Sequence, residues 1–296
     1  MGSGQPMITV LRNGFLEVSV SARGAELQSL RRAGGPERLW RGDPAFWGRR
    51  APVLFPIVGK LRDDRYAVGG RTYSLPQHGF ARDRVFELAS ADKADAEFVL
   101  SSDEETLAAY PFEFELRVRY ELDGESLRVR YGVSNAGAGP MWFSIGGHPG
   151  FACPHGPGGR FEDYELVFER EETADSLLLE GGLVAGRAGR LLDGARKLPL
   201  AWELFAGGAL VLEGLRSSWV ALQRRGGGAG LTVRFEGWPR LGLWTQPGAP
   251  FLCVEPWHGI ADRVGASGRI EEKEGILRLE GGGRFSCGFE IGLEAD

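Results

Sequence analysis

The sequence predicts an all-β protein, a large antiparallel β-sandwich with few short helices. Three observations carry the prediction. Apolar residues recur at every second position along many short segments. Turn-forming residues punctuate those segments. Almost no stretch shows the 3.6-residue periodicity of an amphipathic helix. Glycine reinforces the point: 46 of 296 residues, about twice its usual share of roughly 7%. Sixteen prolines do not lift the combined total to the ~25–30% of low-complexity chains, so the glycines are expected in tight turns.

Along the chain, Leu16, Val18 and Val20 alternate first. Tyr66-Ala67-Val68 and Arg71-Thr72-Tyr73 flank Gly69-Gly70, a hairpin whose paired glycines accept the positive φ of its turn. Phe98 and Leu100 mark a further strand. The best helix lies near Asp103 to Tyr110, ended by Pro111. Phe112, Phe114, Leu116, Val118, Tyr120 and Leu122 alternate with Glu113, Glu115, Arg117, Arg119 and Glu121, so one face is apolar and the other charged. Asp123-Gly124 supplies a turn, and Leu127, Val129, Tyr131 and Val133 alternate again. Tyr164/Leu166/Phe168, Leu231/Val233/Phe235, Leu241/Leu243 and Phe285/Cys287/Phe289/Ile291 repeat the pattern. The glycine-rich run from Gly226 to Gly230 reads as a long hairpin turn. No internal repeat or linker divides the chain, so residues 1–296 are expected to form one domain.

Composition excludes several classes. The 35 basic and 40 acidic residues leave a net charge of −5, without the basic footprint of a nucleic-acid binder. Cys153, Cys253 and Cys287 are too few and odd in number for a disulfide framework, which fits a reducing compartment. Residues 1–10 lack a secretory signal, and no apolar run approaches the ~18 residues of a membrane span. A cytoplasmic protein acting on a small molecule, as a monomer or homodimer, is the expectation.

No phosphate loop and no Gly-x-Ser-x-Gly elbow is present. His148, Cys153 and His155 match no standard zinc spacing, so no metal is expected. Of four histidines, two lie in dense contexts: Pro76-Gln77-His78-Gly79-Phe80-Ala81-Arg82-Asp83 and Gly146-Gly147-His148-Pro149-Gly150-Phe151. A third context is Cys253-Val254-Glu255-Pro256-Trp257-His258-Gly259, which carries a carboxylate. His148 and Glu255 both precede proline, which steers them to extended backbone. Each is expected to leave a strand held in position. The competing reading is a strand-end turn with a surface polar residue.

Together these residues resemble the aldose 1-epimerase (galactose mutarotase-like) superfamily. The resemblance rests on Ala51-Pro-Val-Leu-Phe-Pro-Ile-Val-Gly-Lys60, Gln77-His-Gly-Phe-Ala-Arg82, Phe143-Ser-Ile-Gly-Gly-His-Pro-Gly-Phe151 and Phe251-Leu-Cys-Val-Glu-Pro-Trp257. It runs from about Gly24-Ala25 to the C-terminus. Within the family the chain is most similar to the LacX-like branch and also resembles hexose-6-phosphate mutarotases. The resemblance implies a β-sandwich with an open sugar cleft and interconversion of aldose anomers. That reaction needs one general acid and one general base, with neither cofactor nor metal.

By the same resemblance His148 matches the general acid and Glu255 the general base. His78 matches a histidine that hydrogen-bonds sugar hydroxyls. Arg82 and Arg50 lie where the sugar-phosphate branch has binding arginines, a pair suited to gripping phosphate. Gln246 and Trp257 complete the implied binding set; Trp244 and Phe80 offer further ring faces. One departure stands out: relatives carry a sugar-binding aspartate where this chain has Gly208, in Leu204-Phe205-Ala206-Gly207-Gly208-Ala209-Leu210. Its loss costs on the order of 1–3 kcal/mol if a hydroxyl goes unpaired, unless Glu203 or Glu213 compensates. Lys60 stands near where free-sugar mutarotases carry arginine. The alternatives are a non-catalytic carbohydrate-binding protein of the same fold, which Gly208 favours, and an unrelated β-sandwich interaction module.

Overall fold

Alternating side chains can bury one face only if strands pair into sheets and sheets pack on one another. A computed structural model, describing residues 6–155, 158–228 and 230–294, has this organisation: strand accounts for 53% of residues and helix for 8%, in a sandwich. Its main sheet has fifteen antiparallel strands, with Val53–Leu54 at one end of the path and Glu87–Ala91 at the other. Twisted sheets rarely exceed ~10 strands without curling or splitting into packed layers. Three smaller sheets complete the described residues, the largest being Ile8–Arg12, Leu16–Ser21 and Glu26–Arg32.

The clearest alternation becomes the hairpin Phe114–Asp123 and Ser126–Asn135. Phe114, Leu116, Val118 and Tyr120 are buried, and Arg117 ion-pairs with Glu97 and Glu115 on the other face. Phe112 lies before the strand and packs on Trp142. Gly69 and Gly70 both take positive φ between Arg65–Val68 and Arg71–Ser74, as expected of that turn. The segment read as a long turn does join paired strands, Trp219–Arg224 and Leu231–Arg234; residue 229 lies outside the described residues. All three cysteines are free thiols.

The longest hairpin, Tyr164–Glu180 with Leu183–Pro199, exceeds its sequence signal of Tyr164/Leu166/Phe168. Five register shifts interrupt the pairing from Val167 onward. Each extra residue reverses which face the side chains occupy, so no steady alternation survives. The hairpin's tip reaches the candidate site.

The short helix is Glu104–Ala109, with Asp103 outside it as N-cap. Asp103 Oδ1 accepts the Thr106 N–H at 2.7 Å, and Thr106 Oγ1 accepts the Asp103 N–H at 2.7 Å. Asp103→Ala should therefore lower the unfolding free energy by about 1 kcal/mol. Urea denaturation checks this: the midpoint should fall with the slope unchanged.

Candidate active site

The site is organised by the strand Phe251–His258, buried from Phe251 through Trp257. On one side it pairs with Arg240–Trp244. On the other it pairs with two short strands in succession, Ile145–Gly147 and Gly150–Ala152. Ile145 faces His258, Gly146 faces Trp257 and Gly150 faces Cys253. The register continues unchanged across the break, which places His148 opposite Glu255. The sequence suggested that both pre-proline residues leave a strand. His148 does, just beyond Gly147; Glu255 and Pro256 remain inside theirs. Proline in a sheet gives up a ladder donor, and the gap here is narrow: the Val254 N–H still donates to the Pro149 carbonyl at 3.1 Å.

Cross-strand placement brings His148 Nε2 to 3.1 Å from Glu255 Oε2. Glu255 is 1% exposed and His148 8%. The angle of their contact falls outside hydrogen-bond geometry, and among the described residues both Glu255 oxygens, His148 Nδ1 and the Trp257 Nε1–H lack hydrogen-bond partners. Trp47 lies over the His148 ring at 4.8 Å, tilted 31°, while Trp244 and His78 meet it edge-on. Burial pushes the Glu255 carboxyl well above the usual carboxylate range, with the neighbouring Trp257 N–H pulling the other way. Burial, with Arg82 and Arg49 nearby, lowers His148 to about 3. The pair therefore favours holding one dissociable proton between its members, with no net charge.

His78 has φ of 68°, unusual for a residue with a side chain. Gly59 secures it at two points. The His78 N–H donates to the Gly59 carbonyl at 2.9 Å, and the Gly59 N–H donates to His78 Nδ1 at 3.1 Å. An accepting Nδ1 leaves the hydrogen of the neutral ring on Nε2, which faces the Gln77 amide at 3.2 Å. Gly59 must be glycine: its φ is 75°, and a Cβ there would lie 2.5 Å from the Ala261 backbone. Burial holds His78 well below the usual histidine range, and His148, Arg82 and Arg49 add to the effect. Arg82 Nη2 donates to the Gln77 carbonyl at 2.6 Å, while its buried Nε makes no hydrogen bond among the described residues and stands 3.9 Å from Asp83 Oδ2.

These groups line a cavity of about 410 Å³, within the ~300–1,000 Å³ of small-molecule sites. His148, Glu255, His78, Arg82, Trp244 and Trp257 all line it. Arg50, Gln246 and Phe80 do not, which corrects the site sketched from sequence. The Arg50 guanidinium turns to the Gln28 carbonyl and its N–H to Glu26 Oε1. The Gln246 carbonyl closes a turn with Ala249. Phe80 packs against Phe55, Tyr110 and Phe114. The second arginine near Arg82 is instead Arg49, paired with Asp83 at 2.7 Å.

Gly208 lines the cavity, with open space where a side chain would stand. Neither candidate substitute reaches it: Glu213 is bound to Arg240 at 2.6 Å and Glu203 is exposed. The Lys60 stem packs at Gly182. Sequence reasoning missed Trp47, Gln77 as a lining residue, and the hairpin tip Leu179, Gly181 and Gly182. The paired glycines resemble Gly69-Gly70 and would have marked that turn; Trp47 lies in an irregular segment without periodicity.

A β-sandwich with a histidine–carboxylate pair at the floor of a polar and aromatic cleft defines a class of small-molecule proteins suited to proton transfer. The chain belongs to the aldose 1-epimerase family, whose sequence profile matches residues 7–187. It is 34% identical over 283 residues to the chromosomal LacX protein of Lactococcus lactis subsp. lactis, covering 92% of this chain and 95% of that one. Among solved structures it is similar to a galactose mutarotase related enzyme from Lactobacillus acidophilus (37% identity, TM-score 0.93, 98% of each chain). It is also similar to a galactose mutarotase-like protein from Lactobacillus casei (32% identity, TM-score 0.87, covering 97% of this chain and 100% of that one). No helix among the described residues is long and apolar enough to cross a membrane.

The buried histidines predict a pH dependence of stability. Between pH 4.5 and 6.5 the His148–Glu255 pair holds about one proton both folded and unfolded, so its contribution is nearly flat. His78 and His258 differ. Burial lowers both, His258 to about 4 with help from Arg240, while unfolded histidine titrates near 6.5. The unfolded state then binds more protons, and stability falls as pH drops below about 6.5, by up to about 1.4 kcal/mol per pH unit for each histidine. Urea midpoints at pH 7, 6 and 5 should decline, with a shallower decline in His258→Asn.

Proposed function

We propose that this protein is a mutarotase, interconverting the α and β anomers of a hexose or hexose phosphate by acid–base ring opening, with the whole chain acting as one unit. The observation that carries this reading is the buried His148–Glu255 pair, 3.1 Å apart and facing the cavity with unpartnered polar atoms. Buried polar groups without partners are rare; sugar hydroxyls would supply partners here.

In the proposed reaction sugar hydroxyls donating to Glu255 favour its ionised form, which leaves the pair's proton on His148. The Glu255 carboxylate then takes the proton of the anomeric hydroxyl while His148 protonates the ring oxygen. The C1–O5 bond breaks and C1 becomes an aldehyde. After rotation about C1–C2, the steps reverse on the opposite face. His78 donates from Nε2 to a hydroxyl, and Trp47, Trp244 and Trp257 supply apolar faces for the ring. Arg82, which lines the cavity and whose buried Nε makes no hydrogen bond among the described residues, supports a substrate bearing an anionic group. Arg49, outside the lining and paired with Asp83, adds only to the local positive charge. We infer that hexose phosphate is preferred over free hexose. The side-chain-free wall of Gly207 and Gly208 leaves room for a substituent and offers no carboxylate to repel an anion.

The test is anomer exchange followed by NMR at equilibrium, with glucose, galactose and glucose 6-phosphate. Acceleration is expected on at least one, strongest on the phosphate. Glu255→Gln should lower kcat by about 10²–10⁴, the usual contribution of a positioned acid or base; full activity in that variant would refute the assignment. Arg82→Gln should raise KM for glucose 6-phosphate by at least about tenfold, equivalent to roughly 1.4 kcal/mol, with little change for glucose. Equal changes for both sugars would turn Arg82 into a hydroxyl ligand. Line broadening without acceleration for any sugar would favour the carbohydrate-binding alternative.

A further inference from the structure

We propose that His148, Cys253 and Glu255 form a binding site for a thiophilic divalent cation, zinc above all, occupied in competition with sugar. The sequence offered Cys153 and His155 as companions for His148. The fold sends those elsewhere: Cys153 is buried, and the His155 ring packs against Tyr164 at 4.9 Å. Cys253 and Glu255 instead alternate on one face of Phe251–His258, and the interrupted ladder sets His148 across from Glu255.

One donor atom from each residue lies within 4.8 Å of the other two, and all three residues are buried. Zinc binds sulfur near 2.3 Å and nitrogen or oxygen near 2.0–2.2 Å, so donors on one ion stand roughly 3.3–3.7 Å apart. The His148–Glu255 contact, at 3.1 Å, would open by a few tenths of an ångström to meet that spacing, and Cys253 Sγ, within 4.8 Å of the other donors, would move inward by about an ångström. Gly150 faces Cys253 without a side chain, so that Trp47 and Sγ can share the space: a Cβ there would stand 2.9 Å from the Trp47 ring and 3.3 Å from Sγ. Glu255, 1% exposed, aims two unpartnered oxygens into the cluster. A thiolate, an imidazole and a carboxylate form the mixed soft-to-borderline set that selects zinc or cadmium over magnesium or calcium. The cavity provides an open fourth position.

Charge and protons balance. The cation displaces the thiol proton and the proton held by the His148–Glu255 pair, and both leave to water. A divalent ion with one thiolate, one carboxylate and one neutral imidazole is uncharged, which suits burial. Competition follows because the same Glu255 and His148 atoms would face the sugar; that part rests on the functional reading above.

Cadmium chloride titrated into the full chain tests the site directly. One equivalent should raise an ultraviolet thiolate-to-cadmium charge-transfer band. Cys253→Ser should lose it and bind cadmium on the order of tenfold or more weakly, while Cys153→Ser and Cys287→Ser keep it. Cys253→Ala serves as a second variant if the serine protein does not fold. No band in the parent protein, or a band that survives loss of Cys253, overturns the site. Addition of the sugar found to be bound should diminish the band; an unchanged band overturns competition. Because the band needs no turnover, a cadmium signal in a protein that accelerates no sugar would leave the metal site standing and remove the mutarotase reading.

Discussion

Placing a carboxyl at 1% exposure beside an imidazole, with no hydrogen bond to either oxygen, is the constraint around which the rest of this structure is arranged. Desolvating such groups opposes folding unless a partner or a shifted protonation state compensates. The compensation here is a shifted protonation state: burial pushes the Glu255 carboxyl up and the His148 imidazole down, so that neither carries charge. The interrupted ladder keeps the two residues close. Strand pairing continues on both sides of the break, so backbone hydrogen bonds hold the two residues opposite one another while the break frees their side chains from sheet packing.

The surroundings are stiff for related reasons. Trp47 covers His148 on one face, and Trp244 and His78 brace its edges. Trp257 packs over the neighbouring strands at Gly146 and Gly242, where any Cβ would fall within 2.8 Å of its indole ring. Below the cavity wall, a buried Lys273–Asp262 pair at 2.9 Å joins the segment carrying Ile260 and Ala261 to the rest of the fold. Asp262 Oδ2 also accepts the Arg62 N–H at 2.9 Å, and its carbonyl accepts the Val184 N–H at 2.8 Å. Three separated segments thus meet at Asp262, two at its carboxylate and one at its carbonyl, and the hairpin tip at Gly181-Gly182 is tied to the cavity wall through that carbonyl.

Period-two alternation made the fold class legible, because a strand with one wet face must alternate. The hairpin of Phe114 to Asn135 could be read almost residue by residue for this reason. The hairpin of Tyr164 to Pro199 could not, since its bulges reset the alternation repeatedly. At the site, His148 and Glu255 were visible as pre-proline residues in unusual contexts, and their motifs identified the family. Their mutual distance was not visible, because it depends on the register of strands about a hundred residues apart. Neither Arg50 nor Arg49 lines the cavity. Arg49 reaches Asp83, while Arg50 turns back to Gln28, and successive side chains in extended backbone point to opposite faces. Trp47 left no trace because an irregular segment obeys no period.

The burial of the pair also bears on how one site can process both anomers. In the proposed reaction each opening moves a proton from the anomeric oxygen to Glu255 and another from His148 to the ring oxygen. Closing on the opposite face reverses both transfers, so the pair ends as it began. Burial favours the uncharged arrangement, a protonated carboxyl beside a neutral imidazole. That is the state the proposed reaction reaches when the ring has opened, so burial of the pair, which works against stability in isolation, favours opening.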